Sequence, residues 1–170
     1  MGKRRYMATN IRDQLAAYLR DAYAMEHQSL TTLEAAEKIA GDIDLEQTIR
    51  GHVTETKQHI THLGTRLEQL GETPSKLKNL AGKVGAVALG AGIAGQRDRP
   101  AKLVAVAYAY EHFEIAAYEL LRRVAERAGD PETVQVADRI LAQERSAAEK
   151  LSWSFDAVVN ASLEKVGATT

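Results

Sequence analysis

Residues 71–99, GETPSKLKNLAGKVGAVALGAGIAGQRDR, are the one long interruption in a chain otherwise written in helical pattern. On both sides the sequence is rich in Ala, Leu, Glu, Arg and Gln, the residues that lose least on entering a helix. Upstream, apolar residues recur with helical spacing from about Ile11 to Ala40 and stop at Gly41. The pattern resumes over about Leu45 to Leu70, with Asp42 or Asp44 as N-cap and Gly71 as its stop. Downstream, a third helix is predicted from near Pro100, just after Asp98, to Gly129. Asp130-Pro131-Glu132 then opens a fourth: a capping side chain, a proline at the first helical position and an acid in the first turn. It is predicted to continue to about Val166.

Two of the three connections are short, which makes the first pair of helices antiparallel neighbours and the second pair likewise. The third is long enough to travel the length of a helix, roughly 40 Å at about 1.5 Å per residue. It has a short helical piece of its own at about Ser75 to Leu89 and a Gly/Ala run at Gly82 to Gly95, well short of the ~20 residues a membrane helix needs. Two short turns flanking one long crossover are the connectivity of a ferritin-like, up-down-down-up four-helix bundle. The expected organisation is a single bundle over residues 10–166, with flexible tails at 1–9 and 167–170.

Composition narrows the function. Twenty-two Lys and Arg against 23 Asp and Glu leave a formal charge of −1, which gives nucleic acid no electrostatic footprint; the basic start at Lys3, Arg4 and Arg5 is the only support for a nucleic-acid-binding reading. Without cysteine there is no disulfide, thiolate metal site or cysteine nucleophile, which fits a reducing, cytoplasmic setting. The basic start MGKRRYMATN leads into no apolar stretch of the secretory kind, and no phosphate-binding glycine motif follows a strand.

The faces of the helices carry the main signal. At 100° per residue, Leu15, Leu19, Ala22, Leu30 and Leu33 share one face of the first helix, with Glu26 in its middle. Leu103, Ala107, Tyr110, Ala117 and Leu121 share a face of the third, with Glu114 inside it and Glu111 one turn back. On the fourth, Ile140, Leu141, Leu151, Phe155 and Val158 surround Glu144. An ionised carboxylate in an apolar core must be paired, protonated or metal-bound, and no Lys or Arg stands at a matching mid-core position. Converging carboxylates without buried cations suit a hard or borderline divalent metal. The second helix supplies nitrogen: His52, Glu55, His59 and His62 span an arc of about 80° at the edge of its apolar face. Either His52 with Glu55 or Glu55 with His59 has the spacing to share one ion, while His62 and His52 equally fit a surface cluster. His27 and His112 follow candidate ligands at about 100° and are expected to face a neighbouring helix or solvent.

The segments YAMEHQSL (23–30), HVTETKQHITHL (52–63), YEHFEIAAYELL (110–121) and LAQERSAAEKL (141–151) resemble the four helices of the YciE/YciF family, a bacterial stress-associated branch of the ferritin-like superfamily. The resemblance implies a bundle, often dimeric, around a carboxylate-bridged di-iron-type centre. Carried over by position, its ligands would be Glu26, Glu55, His59, Glu111, Glu114 and Glu144. The usual Glu-x-x-His pattern is altered: Thr56 stands three residues before His59, and Ala147 three after Glu144, so the second histidine is missing. Glu114 would compensate in an E-x-x-E arrangement with Glu111.

The function expected on these grounds is a cytoplasmic, homodimeric ferritin-like protein. It would hold two iron ions, or manganese, and react with O2 or peroxide in stress defence, by peroxide reduction or ferroxidase chemistry. Tyr23, Tyr110 and Tyr118 lie near the candidate ligands and read mainly as core residues with bonded hydroxyls. The rival is a metal-free bundle acting through dimerisation or partner binding.

Overall fold

Among the described residues the chain forms five α-helices: α1 (Ile11–Glu37), α2 (Ile43–Gln69), α3 (Arg99–Ala128), α4 (Pro131–Trp153) and α5 (Phe155–Val166). The computed structural model describes residues 10–37, 43–73 and 98–168, and no strand occurs among them. The expected N-terminal tail, the short helix of the crossover and its Gly/Ala run lie outside the described residues. No described helix is long and apolar enough to cross a membrane.

Cross-helix contacts set the directions. Arg20 meets Glu72 and Arg50 meets Glu37, so α1 and α2 run antiparallel. Arg145 meets Glu119 and Arg122 meets Asp138, so α3 and α4 do too. Arg66 near the end of α2 meets Asp130 at the start of α4, which makes α2 and α3 parallel. Two consecutive helices that run the same way require a connection as long as the bundle, and the up-down-down-up ferritin-like order expected from the sequence is borne out.

The turn between α3 and α4 follows its residues closely. Gly129 has φ 66°, a left-handed conformation that a side chain disfavours, and its amide returns to the Ala125 and Glu126 carbonyls. Asp130 accepts the Thr133 amide at 2.9 Å and caps α4. The same carboxylate accepts two hydrogen bonds from Arg66, at 2.9 and 2.7 Å, and Arg66 Nε also donates to Thr133 Oγ1 at 3.1 Å. This buried guanidinium rivets α2 to the cap of α4.

The fourth helix does not run unbroken to Val166. It stops at Trp153 because the Ser154 hydroxyl bonds the Leu151 carbonyl at 2.7 Å, competing with the helical ladder. The break shifts the helical phase of the residues after Ser154. Phe155, expected on the buried face, is 39% exposed, while Val158 stays in the core. The new helix α5 folds beside the start of α3, where Ser162 Oγ accepts the Ala101 amide at 3.0 Å. Gly167 and Ala168 close α5 with amides bonded back to Glu164 and Leu163.

Among the described residues, two apolar clusters fill the interior. One gathers Leu15, Leu19, Leu63, Leu67, Leu121 and Ile140 toward the α3–α4 turn. The other gathers Leu33, Leu45, Ile49, Val104, Leu151 and Val158 toward α5. Between them lies a layer of buried ionisable side chains.

Candidate metal centre

Each helix of the bundle delivers its polar residues to this layer at mid-length. Glu26 on α1, His59 on α2, and Glu114 and Glu144 on α3 and α4 are all fully buried, and His52 and Glu111 nearly so. They form two groups that share one member. In the first, His52, Glu111, Glu114 and Glu144 each bring a ligand atom within 4.8 Å of the others; in the second, Glu26, His59 and Glu144 do.

Glu144 is the shared residue, and its two oxygens divide the work. Oε1 lies 3.0 Å from His59 Nδ1, and Oε2 lies 3.4 Å from His52 Nε2. His52 Nε2 is also 3.1 Å from Glu111, and His59 Nδ1 is 3.3 Å from Glu26. The far nitrogen of each ring is already engaged. His59 Nε2 donates to Gln143 Oε1 at 3.1 Å, and His52 Nδ1 donates to Glu55 Oε2 at 3.3 Å. That choice of tautomer leaves each inward nitrogen with a lone pair facing carboxylate oxygens, which only a proton or a cation makes tolerable.

The electrostatics bear this out. Burial is the largest influence on His52 and lowers its pKa, yet bonds to Glu111 and Glu55 and the charges of Glu111 and Glu144 outweigh it and raise it to about 11. His59 rises to about 10 for the same reason, with Glu144 and Glu26 as its partners. Glu26, Glu114 and Glu144 are all raised, chiefly by burial; for Glu114 the charges of Glu26, Glu144 and Glu111 add to it. Glu55 moves the other way, lowered by its bond to His52.

Whether a cation suits the site is decided by the atoms left over. Both oxygens of Glu114, both of Glu144, Oε2 of Glu111 and Nε2 of His52 are buried without a well-aligned hydrogen-bond partner. Buried polar groups are normally satisfied, so this many on one spot is exceptional. All are oxygen or imidazole donors, the set that iron and manganese accept. Tyr118, fully buried, donates its hydroxyl to Glu26 Oε1 and fixes that carboxylate.

The family described as "Domain of unknown function (DUF892)" matches residues 10–164. The chain belongs to the DUF892 family. It is 28% identical over 152 residues to the Escherichia coli protein YciF, covering 84% of this chain and 88% of YciF, so the resemblance to the YciE/YciF family is borne out. Among solved structures, a protein from Xanthomonas campestris is 32% identical with a TM-score of 0.76, covering 92% of this chain and 98% of its own. A bacterioferritin from Desulfovibrio desulfuricans, described with a diiron site, is 21% identical with a TM-score of 0.74 over 95% of this chain and 93% of its own, a likeness of fold.

Within this DUF892 chain, five of the six expected ligand residues come together: Glu26, His59, Glu111, Glu114 and Glu144. Glu55 stands in neither group; its side chain is 29% exposed and backs His52. His52 joins the cluster, although sequence reasoning left it open between ligand and surface residue. The signal was present in its spacing. Seven residues from His59 is two turns less about 20°, so two histidines share one face. They lie on the buried face rather than at its edge, whereas His62 is only partly buried and 3.5 Å from Arg139. The nitrogen missing from α4 at Ala147 is thus offered by α2. Tyr110 bonds the Met25 carbonyl at 3.4 Å and not a carboxylate. His27 packs edge-on against Tyr23 and His112 against Tyr108.

Proposed function

We propose that the protein binds a dinuclear centre of iron or manganese and uses it in redox chemistry with a small oxidant. The observation that carries this reading is Glu144, fully buried, whose two carboxylate oxygens face two different histidines. One ion would be held by His52, Glu111, Glu114 and Glu144, the other by Glu26, His59 and Glu144. When bound, such a pair would supply electrons for the reduction of O2 or peroxide. The chain's own residues orient the ligands and exclude bulk water. Gln143 and Glu55 hold the two imidazoles in the tautomer that presents a lone pair inward, and Tyr118 holds the Glu26 carboxylate in place.

The test is metal analysis of protein prepared without chelator and titrated with Fe(II) or Mn(II). Two equivalents per chain, abolished in Glu26→Ala plus Glu144→Ala, are expected. Absence of uptake, with unchanged melting temperature, would favour the rival metal-free bundle, in which protons held on His52 and His59 neutralise the carboxylates.

A cytoplasmic role in oxidative or general stress is part of the same proposal, supported by the relation to YciF, described as a stress protein. So is homodimerisation: Phe113 and Leu120 are 53% and 54% exposed on α3, beside Tyr18 on α1. Light scattering of the wild type and Phe113→Asp checks it, with a dimer expected only for the former.

A further inference from the structure

An apolar cavity of about 40 Å³ adjoins the candidate centre on the side toward α5. Each helix of the bundle gives it a wall: Leu33 from α1, Ile49 from α2, Val104 from α3 and Leu151 from α4. At one end it is bounded by His52 and Glu111. Neither Glu26 nor His59 borders it, so it addresses one half of the centre. Glu55 and Lys150 also border it, and Lys150 is exposed, which marks its solvent side.

Size and chemistry define what fits. An apolar cavity of about 150 Å³ stays dry and takes benzene or xenon. At roughly a quarter of that volume there is room for a diatomic molecule and none for a ring or an alkyl chain. A polar molecule gives up its hydrogen bonds to water on entry and finds few replacements where Leu33, Ile49, Leu103, Val104 and Leu151 form the wall. Hydrogen peroxide carries two hydroxyl groups that suffer this loss; O2 carries none.

We propose that this cavity is the entry route for molecular oxygen to the His52–Glu111 half of the centre, and that it selects O2 over hydrogen peroxide. The inference rests on the dinuclear reading for what the oxygen meets. The cavity's uptake of a small apolar gas does not depend on metal.

Xenon is the probe. Crystals of metal-free protein pressurised with xenon are expected to hold it between Ile49, Val104 and Leu151. Ala107→Leu and Ala36→Leu, two independent fillings of the cavity wall, are expected to lose it while Fe(II) stoichiometry stays that of the wild type. In the Fe(II)-loaded variants, oxidation by dissolved O2 should slow about tenfold while oxidation by hydrogen peroxide keeps its rate. No xenon in the wild-type cavity, or equal slowing with both oxidants, overturns the route. Wild-type protein that takes up xenon but no Fe(II) overturns the dinuclear reading and with it the oxygen's destination, a result distinct from a cavity that takes no gas.

Discussion

His52 and His59, two turns apart on α2, present different nitrogens to opposite oxygens of Glu144: Nε2 at 3.4 Å from one and Nδ1 at 3.0 Å from the other. A carboxylate placed so belongs to both halves of the site, whereas Glu114 belongs to one. Glu144→Gln is therefore expected to abolish uptake of both ions, and Glu114→Gln to leave one equivalent per chain. Elemental analysis of the two variants checks this; equal losses would contradict it.

Glu114→Met, which puts an apolar side chain of similar size in place of the carboxyl, should stabilise the metal-free protein. Its carboxylate is fully buried, with neither oxygen well bonded, and burial holds its pKa up. Removing an unsatisfied buried group recovers about 1–3 kcal/mol. Urea unfolding of wild type and variant in chelator measures the difference, and a destabilised variant would refute the account.

Glu55 and Gln143 touch the outward nitrogens of the histidines and act as positioning residues. Groups in this place typically contribute about 10–100-fold to metal affinity. Glu55→Ala and Gln143→Ala are each expected to weaken one ion by about that factor, while two equivalents still bind at saturation. Competition with a chromophoric chelator gives the affinities. Loss of stoichiometry in Glu55→Ala would make Glu55 a ligand.

The pH dependence has a definite sign. His52 and His59 are raised from 6.5 to about 11 and about 10. Their protons stabilise the metal-free fold fully below about pH 6.5, a contribution lost as pH rises through the folded values. Glu26, Glu114 and Glu144 are raised above 4.5, so their neutral forms also favour the fold at low pH and their effect also fades as pH rises. Cations must displace these protons. Metal affinity and the gain in melting temperature on loading are therefore expected to increase between about pH 6 and 8, with proton release seen by calorimetry in two buffers. A flat profile would contradict the pairing described.

Arg66 is 7% exposed and bonds Asp130 and Thr133 far from the metal layer. Arg66→Ala leaves a partly buried carboxylate without its partner and is expected to destabilise the fold by about 3 kcal/mol. Metal stoichiometry should not change. Thermal melts and metal analysis together separate the two effects.

Much of this was legible from residue types alone. Gly129-Asp130-Pro131 fixes its turn through backbone needs that no tertiary contact alters, and Glu26, Glu114 and Glu144 declared themselves by interrupting apolar stripes. Ser154 did not, because a serine hydroxyl breaks a helix only when neighbouring packing rewards the bend, here the contact of α5 with α3. Nor was the division of labour between His52, Glu55 and His59 readable. Three residues on one arc look alike until the facing helices decide which side chain meets Glu111 and which meets solvent.

The ionisable layer cuts the hydrophobic interior in two, with Leu63 and Ile140 on one side and Ile49 and Leu151 on the other. Each half-core holds parts of α1, α2, α3 and α4, but only the half near the α3–α4 turn is riveted by Arg66. Stripped of cations, the two halves are joined by protonated histidines and by buried carboxyl oxygens without well-aligned partners, so amide hydrogens near α5 should exchange first and those around Leu67 last. Ligation would then act as a keystone, fusing two cooperative units into one.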